Sequence, residues 1–316
     1  MPDAHVMLGD LTEPLDGPFD LIVSNPPYLP ADASDRFLSE HVRAALIGGT
    51  SGVELAIRLV REARAKLASD GVMLVVVSSH ADPKRFEHEA ENAGLTVQAH
   101  AQRRLEGFED LTCYRLEHNE VSRYALEFGY RLSFLARGSR SIVYDLERTG
   151  KARIAAKMLL GEKAKDAIRE YELLRRLDSE PGMNVPKVFD ESDGFFTMEL
   201  VEGVSGHELD DADRARYDDQ LIRAALALDR LRIKKYEFTR PYANVIVRDE
   251  TLYLIDFERA SEGKTGNVTQ LLEHFRRRGS IGMDAMRRLA EAYLSELDAS
   301  RIDEDAWTQR ILEALS

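Results

Sequence analysis

The sequence predicts an α/β chain in two parts, and three observations carry that prediction. Short apolar runs alternate with amphipathic segments through the first third, which calls for a parallel or mixed sheet faced by helices. Around "EHNEVSRYALEFGYRLSF" (117–134) the alternation gives way to a short helix and then new strands, which places the boundary at 117/118. The length, 316 residues, suits about two domains of roughly 150 residues each.

The elements follow in order. "HVML" (5–8) and "FDLIVS" (19–24) read as short strands. "GVELAIRLVREARAKLASDG" (52–71) places Val53, Leu55, Ala56, Leu59, Val60, Ala63 and Leu67 at helical spacing and ends on a glycine, so one helix is expected there. "VMLVVVSS" (72–79) reads as a buried β-branched strand. "DPKRFEHEAENAG" (82–94) has an Asp-Pro start and a Gly stop for a helix. "LTVQAHAQ" (95–102) and "LTCYRLE" (111–117) close the first part as strands. Beyond the boundary the pattern predicts a strand pair around Gly138 and a helix over 162–177. A strand into a polar segment, "FFTMELVEG" (195–203), follows, then helices over 210–232 and 267–298. Trp307 and its apolar neighbours in "DEDAWTQRILEAL" (303–315) suit a docking helix. No Gly/Ser/Pro linker marks the joint, and no repeat or low-complexity tract is visible.

Composition excludes several classes. There are 56 acidic against 43 basic side chains, a net charge of -13. Direct nucleic-acid binding is therefore not expected, because phosphate neutralisation needs a surplus of Lys and Arg. The basic "HFRRRGS" (274–280) reads as a solvated helix face, and the acidic "ELDDADRARYDD" (208–219) as an exposed helix with its caps. A single cysteine, Cys113, leaves no internal disulfide and no cysteine zinc site, and the scattered histidines show no ligand pairing. The opening residues lack the features of a signal peptide. The longest apolar run, "VMLVVV" (72–77), is too short to span a bilayer. A soluble, cytoplasmic protein with no membrane contact is expected.

The first candidate site lies in "FDLIVSNPPYLP" (19–30). Pro26 and Pro27 fix φ and remove two backbone donors, which gives the Pro26 carbonyl a set direction. Asn25 adds a side-chain acceptor, and Tyr28 a ring for a planar group to stack on. Two acceptors can grip both hydrogens of a planar –NH2 and aim its lone pair at an electrophile. A capped turn at a strand end is the plainer reading of the same residues.

This stretch, continued through "ALIGGTSGVELAIRLVREARAKLASDGVMLVVVSS" and "RRLEGFEDLTCYRLE", resembles the class I S-adenosylmethionine methyltransferases that modify amino nitrogens. The resemblance is strongest to the HemK-like release-factor glutamine methyltransferases of the archaeal and eukaryotic branch, and it covers about residues 3–117. It implies that Asn25, Pro26, Pro27 and Tyr28 bind the methyl acceptor and that Asp10 lies beside the cofactor's adenine. The family holds the cofactor with a Gly-rich turn and an acidic residue that precede this point. Only nine residues precede Asp10, so the cofactor half is expected to be missing from this chain. A truncated reading frame, a separate chain supplying that half, and a relic kept as a scaffold are the three explanations. In each of them S-adenosylmethionine is used only if the missing half is supplied.

The second candidate site starts in "LARGSRSIVYDLERTGKARIAAKM" (135–158). Gly138, Ser139 and Ser141 are small enough to lie over phosphates, and Val143 could cover an adenine face. Lys157 occupies an otherwise apolar strand, which is costly without a partner. "KDAIREYELLRRL" offers Glu170, with Glu172 as the alternate. Such a Lys–Glu pair positions phosphates in kinases. A hairpin with a snorkelling lysine explains this stretch alone equally well. Asn244 and, twelve residues on, Asp256 in "LIDFE" are placed to hold Mg²⁺ on phosphate oxygens.

Residues 122–275, with "GSRSIVY", "TRPYANVIV", "IDFERAS" and "NVTQ", resemble the small archaeal atypical serine/threonine kinases related to the RIO kinases and to the kinase of the KEOPS tRNA-modification complex. The resemblance implies that Lys157 and Glu170 are the ion pair, that Gly138, Ser141, Val143 and the hinge from Glu199 to Val201 bind ATP, and that Asn244 and Asp256 hold the metal. The chain departs from the pattern at the catalytic His-x-Asp, replaced by "KKYEF" with Glu237 as the candidate base, and at Glu258, where kinases have Gly. The expected fold is thus half of a Rossmann-like methyltransferase sheet (1–117) followed by an α+β two-lobed protein-kinase-like domain (118–316). The expected function is ATP- and Mg²⁺-dependent phosphoryl transfer to a protein, with a translation release factor or a tRNA-modification complex as partner. The alternatives are an N-methyltransferase completed elsewhere and an ATP-binding pseudokinase module.

Overall fold

The computed structural model describes residues 4–105, 109–161, 166–298 and 302–315. The chain packs as two compact units, Met1–Ala156 and Lys157–Ser316. Among the described residues no helix is long and apolar enough to cross a membrane.

The first unit contains strands β1 (Phe19–Ser24), β2 (Leu29–Pro30), β3 (Ile47–Gly49), β4 (Leu67–Ser78), β5 (Leu95–Arg104), β6 (Asp110–His118), β7 (Arg131–Arg137), β8 (Ser141–Glu147) and the start of β9 (Ile154–Leu159). Its helices are α1 (Glu40–Leu46), α2 (Glu54–Arg64), α3 (Pro83–Asn92) and α4 (Glu120–Phe128). The main sheet has the order β1-β4-β6-β5, with β1 parallel to β4 and the other pairs antiparallel. Strand alternation sends Met73, Val75 and Val77 of β4 to one face. There they meet Ala56, Val60 and Ala63 of α2 and Phe86 and Ala90 of α3. Each such fully buried side chain larger than alanine contributes about 2 kcal/mol. Asp82 caps α3 by accepting from the Arg85 amide at 3.1 Å, and Pro83 sits in the first turn.

The later part of this unit folds back on the same sheet domain. Arg64 donates to the Leu132 carbonyl at 3.2 Å, and the Tyr144 hydroxyl donates to the Glu91 carbonyl at 2.6 Å. Asn119, the cap of α4, donates to the Tyr144 oxygen at 3.0 Å. β7 and β8 form an antiparallel hairpin, and β9 is the next neighbour of β8.

Two expectations are corrected here. Residues 5–8 take up no regular structure, and Val6 and Leu8 are fully exposed, at 98% and 101%. No described strand runs beside them to satisfy their backbone groups, and a lone strand is not stable in water. The helix expected over 52–71 ends at Arg64, and Gly71 lies inside β4. The Phe19 amide donates to the Lys66 carbonyl at 2.8 Å and draws the chain into pairing. A Cβ on Gly71 would sit 2.7 Å from the Phe19 carbonyl oxygen. That glycine therefore permits a close backbone approach and does not stop a helix.

The second unit contains the rest of β9, then α5 (Asp166–Leu177), β10 (Val188–Ser192), β11 (Phe195–Glu199), β12 (Val204–Ser205), α6 (Asp211–Ala215), α7 (Asp218–Arg230), β13 (Ile233–Lys234), β14 (Val245–Arg248), β15 (Thr251–Leu254), β16 (Ser261–Glu262), α8 (Asn267–Arg278), α9 (Met283–Asp298) and α10 (Glu304–Leu315). β10 and β11 are antiparallel, and β12, β14 and β15 form a small antiparallel sheet. Helix α7 is buried over Leu221, Ile222 and Ala224–Leu228, and α8 and α10 pack on it through Leu271, Leu272, Phe275, Trp307 and Ile311. The helix expected over 210–232 is two helices, because Asp218 opens a new one and pairs with Arg278. The helix expected over 267–298 is also two. Gly279 at φ 82° ends α8, and the Ser280 amide returns to the Phe275 carbonyl at 2.9 Å, a glycine C-terminal cap. Residues 162–165 of the helix expected over 162–177 lie outside the described residues.

Candidate active site

Lys157 is the fourth residue of β9, between buried Ala156 and half-buried Met158, and is itself 4% exposed. An ammonium at such a depth must be paired. Its Nζ donates to Glu170 Oε1 and to Asp256 Oδ1, each at 2.8 Å, and lies 4.0 Å from Glu258 Oε2. Glu170 comes from the second turn of α5, and its Oε1 also accepts the Phe257 amide at 2.9 Å. One carboxylate oxygen thus ties strand, helix and the 256–258 segment together, while the buried Oε2 has no hydrogen-bond partner among the described residues. Glu172 does not reach Lys157 and instead lines a groove of about 510 Å³ with Arg169 and Arg176.

Burial works against the charge on Lys157, but the carboxylates of Glu170 and Asp256 outweigh it and hold its pKa above the ordinary lysine value. Glu170 shifts upward: its own burial and the nearby Asp256 charge exceed the pull of one ammonium. The two directions agree with the arrangement, since Lys157 faces two carboxylates and Glu170 a single close cation. Asp256, whose side chain is 49% exposed, loses some hydration in the site yet is held below the usual carboxylate range by Lys157 and Lys235.

Asp256 follows β15 with φ 59°, a left-handed backbone that costs a non-glycine residue about 1–3 kcal/mol and persists where the surroundings enforce it. Asn244 ends a 3₁₀ turn (Pro241–Asn244) just before β14, and its carbonyl accepts the Ile255 amide at 3.0 Å. The hairpin β14–β15 thereby sets Asn244 beside the residue preceding Asp256. The Asn244 side chain has no hydrogen bond among the described residues.

Between α7 and the 3₁₀ turn runs the segment with Lys235 and Glu237. Buried Asp229 accepts from the amides of Asn267 (3.0 Å) and Val268 (3.1 Å), from the Asn267 side chain (2.7 Å) and from the Tyr293 hydroxyl (2.9 Å). Asn267 in turn donates to the Ile233 carbonyl at 2.7 Å and accepts the Lys235 amide at 2.9 Å. The segment is thus anchored to the helical core by a satisfied polar network. Sequence reasoning passed over Lys235, which is 2% exposed. A second lysine beside a strand in "RIKKYEF" is the signal that could have found it.

The remaining residues are placed as follows. Glu199, at the end of β11, pairs with Arg248 at 2.6 Å, and Val201 is buried. In the first unit, Gly138 closes the β7–β8 hairpin by donating to the Ser141 carbonyl at 2.9 Å. Ser141 is buried and Val143 half-buried. Asp10 is exposed and its carboxylate pairs with Arg58 of α2.

Asn25 is exposed, Pro26 buried and Tyr28 half-buried, just past the carboxyl end of β1. A Cβ on Gly48 would lie 2.3 Å from the Pro27 carbonyl oxygen, and one on Gly52, at φ 81°, would lie 2.4 Å from that of Tyr28. The stretch "GGTSG" (48–52) therefore fits under 27–28 because it carries little side chain. Glu54 binds the Ser51 amide and Arg85, and these hydrogen bonds hold its pKa below the usual value despite partial burial. The result is a rigid strand end that leaves the Asn25 amide facing solvent.

Residues 139–275 match the RIO domain. The N-terminal region is similar to glutamine methyltransferases: 43% identical over 76 residues to the release factor glutamine methyltransferase of Deinococcus radiodurans, covering 23% of this chain and 27% of that protein. The ribosomal protein uL3 glutamine methyltransferase of Burkholderia pseudomallei is 34% identical over 82 residues, 25% of each chain. The chain spans about a quarter of the length of these two relatives. Among solved structures, the Rio2 kinase–ADP/Mg²⁺–phosphoaspartate complex from Chaetomium thermophilum aligns at TM-score 0.41 and 17% identity, over 62% of this chain and 66% of that one. The chain thus joins a region similar to glutamine methyltransferases to a region that matches the RIO domain.

Proposed function

We propose that the RIO part, taken from residue 118 onward, transfers the terminal phosphoryl group of ATP to a hydroxyl of a protein. The observation that carries this reading is the buried Lys157, held by Glu170 and Asp256 at 2.8 Å each. A lysine so placed is expensive to fold around and is suited to an anionic ligand. Glu170 keeps Lys157 in place for phosphate oxygens, while the segment Glu199–Val201 takes the nucleotide. Mg²⁺ accepts few protein ligands beside phosphate oxygens. One carboxylate, Asp256, with the unpartnered Asn244 amide, suits that demand. When bound, the ion neutralises charge developing on the transferred group. Glu237 offers the carboxylate that receives the hydroxyl proton.

For the first part, residues 1–117, we read Asn25 to Tyr28 as a grip for a glutamine amide, as on a translation release factor, with Asp10 on the adenine side of S-adenosylmethionine when the cofactor half is supplied. A protein working on translation factors is cytoplasmic in this reading. The alternative to transfer is ATP binding without it, and the departure at Glu237 makes that comparison informative.

The test is a thermal-shift series with ATP and Mg²⁺. The wild type is expected to melt several degrees higher with both present, following the linkage of ligand binding to stability. Lys157→Ala and Asp256→Ala are expected to lose the shift. No shift in the wild type would remove the nucleotide reading. A shift without transfer of labelled phosphate to protein would leave the binding module.

A further inference from the structure

Lys235 stands where three parts of the proposed site converge. Its Nζ donates to the Ile255 carbonyl at 2.8 Å and to the Asp256 carbonyl, sits 4.3 Å from the centre of the Phe257 ring, and lies 4.0 Å from Glu237 Oε2. An ammonium has three donors. Two are spent on the backbone of the metal-holding segment, and the Glu237 carboxylate at 4.0 Å is an ion-pair partner for the charge. Glu237 Oε2 is shut off from solvent and has no hydrogen-bond partner among the described residues. Its backbone end is fixed as well, since the Lys235 amide donates to Asn267.

Lys235 is 2% exposed, so its ammonium is held out of water at a cost that its partners must offset. The same contacts address two features that would otherwise relax. The left-handed backbone of Asp256 is pinned through its carbonyl. The carboxylate of Glu237 has the Lys235 ammonium 4.0 Å from its Oε2, on the side of the Asp256 segment.

We infer that Lys235 is a positioning residue: it couples the Glu237 carboxylate to the backbone of Asp256, so that proton acceptance and metal holding share one geometry. This rests on the phosphoryl-transfer reading above. Lys235 touches neither nucleotide nor acceptor in it, and acts through Glu237 and Asp256.

The experiment uses the full-length chain, ATP with Mg²⁺, and labelled-phosphate transfer. Lys235→Met is expected to lower kcat about 100-fold, within the range a positioned general base supplies, while KM for ATP stays within about threefold. Lys235→Arg, which keeps the cation, is expected to recover at least about a tenth of the wild-type kcat. Adding Lys235→Met to Glu237→Gln is expected to change kcat by less than about threefold, because both act on one group. Full transfer by Lys235→Met would overturn the inference. So would a fully multiplicative double variant, or loss of ATP-dependent thermal shift together with kcat in both single variants. A wild type that shows no thermal shift would overturn the underlying reading and this one with it. A wild type that shifts and transfers while Lys235→Met does so equally would overturn this one alone.

Discussion

Lys157 was legible in the sequence because it interrupts an apolar strand, and its acidic partner because α5 must present one face to that strand. Lys235 was not legible. Its burial is made by Phe257, Asn267 and two carbonyls that lie 20 or more residues away, and no local period announces them. His274 was likewise read only as part of a basic helix face, yet it is half-buried against Tyr242, with ring centres 5.9 Å apart. Burial first, and then the guanidiniums of Arg278 and Arg214, push its pKa down to about 4. The unfolded chain keeps an ordinary histidine, so between about pH 6.5 and 4 it binds more protons than the fold does. Stability contributed by neutral His274 is therefore present above pH 6.5 and lost as the pH falls through that window. Solvent screening at a half-buried ring limits the effect to about 1–2 kcal/mol. Urea unfolding of the wild type and of His274→Gln at pH 7 and pH 4.5 checks this. The gap between them should shift by that amount in favour of the variant at the lower pH, and an unchanged gap would remove the assignment.

At the scale of elements, the sequence revealed strands and helices best where apolar spacing and caps agreed. Asp82–Pro83 opens α3 and Gly129 closes α4, as local chemistry requires. It failed where glycine does tertiary work. Gly71 looked like a helix stop and is a point of close approach to β1. The stretch "GGTSG" received no role of its own, although it seats residues 27–28. Gly52 is the sharper test, because a side chain there meets both obstacles at once. Its φ of 81° disfavours any L residue, and a Cβ would lie 2.4 Å from the Tyr28 carbonyl oxygen. Gly52→Ala should cost about 2 kcal/mol or more. It should also speed amide hydrogen exchange over 25–31, since the β2–β3 pairing and the hydrogen bond from Ala31 to Gly49 (2.8 Å) depend on that approach. Unchanged exchange there would mean that 25–28 hold their shape without the glycine loop.

At the scale of the whole molecule, the modules of sequence and the units of packing are drawn at different places. Composition and pattern put a boundary at 117/118, whereas compactness divides the chain at 156/157. The difference has a physical origin within the first unit. Helix α4 and the β7–β8 hairpin sit on the methyltransferase-like sheet domain through Arg64, Arg137 and Tyr144. Arg137 reaches Glu91 at 2.5 Å and Asn92 at 3.1 Å, and Tyr144, fully buried, donates to the Glu91 carbonyl. Burial raises the Tyr144 hydroxyl pKa well above its ordinary value, so the ring stays neutral and keeps that bond. A fragment beginning at residue 118 keeps the Asn119 partner of Tyr144 but loses Arg64, Glu91 and Asn92, and uncovers Leu132 on the side where a Cβ on Gly94 would lie 3.2 Å from it. Losing one buried hydrogen bond and one aromatic burial costs about 3–5 kcal/mol together. The fragment 118–316 should therefore melt well below the full chain, and protease should cut it first within 131–147, where the hairpin has lost its support. If the fragment instead melts with the full chain and its hairpin resists protease, the methyltransferase-like part contributes nothing to the stability of the part that follows it. Equal melting would also leave no structural reason for the two sequences to remain fused, and a functional reason would then have to be sought in their substrates.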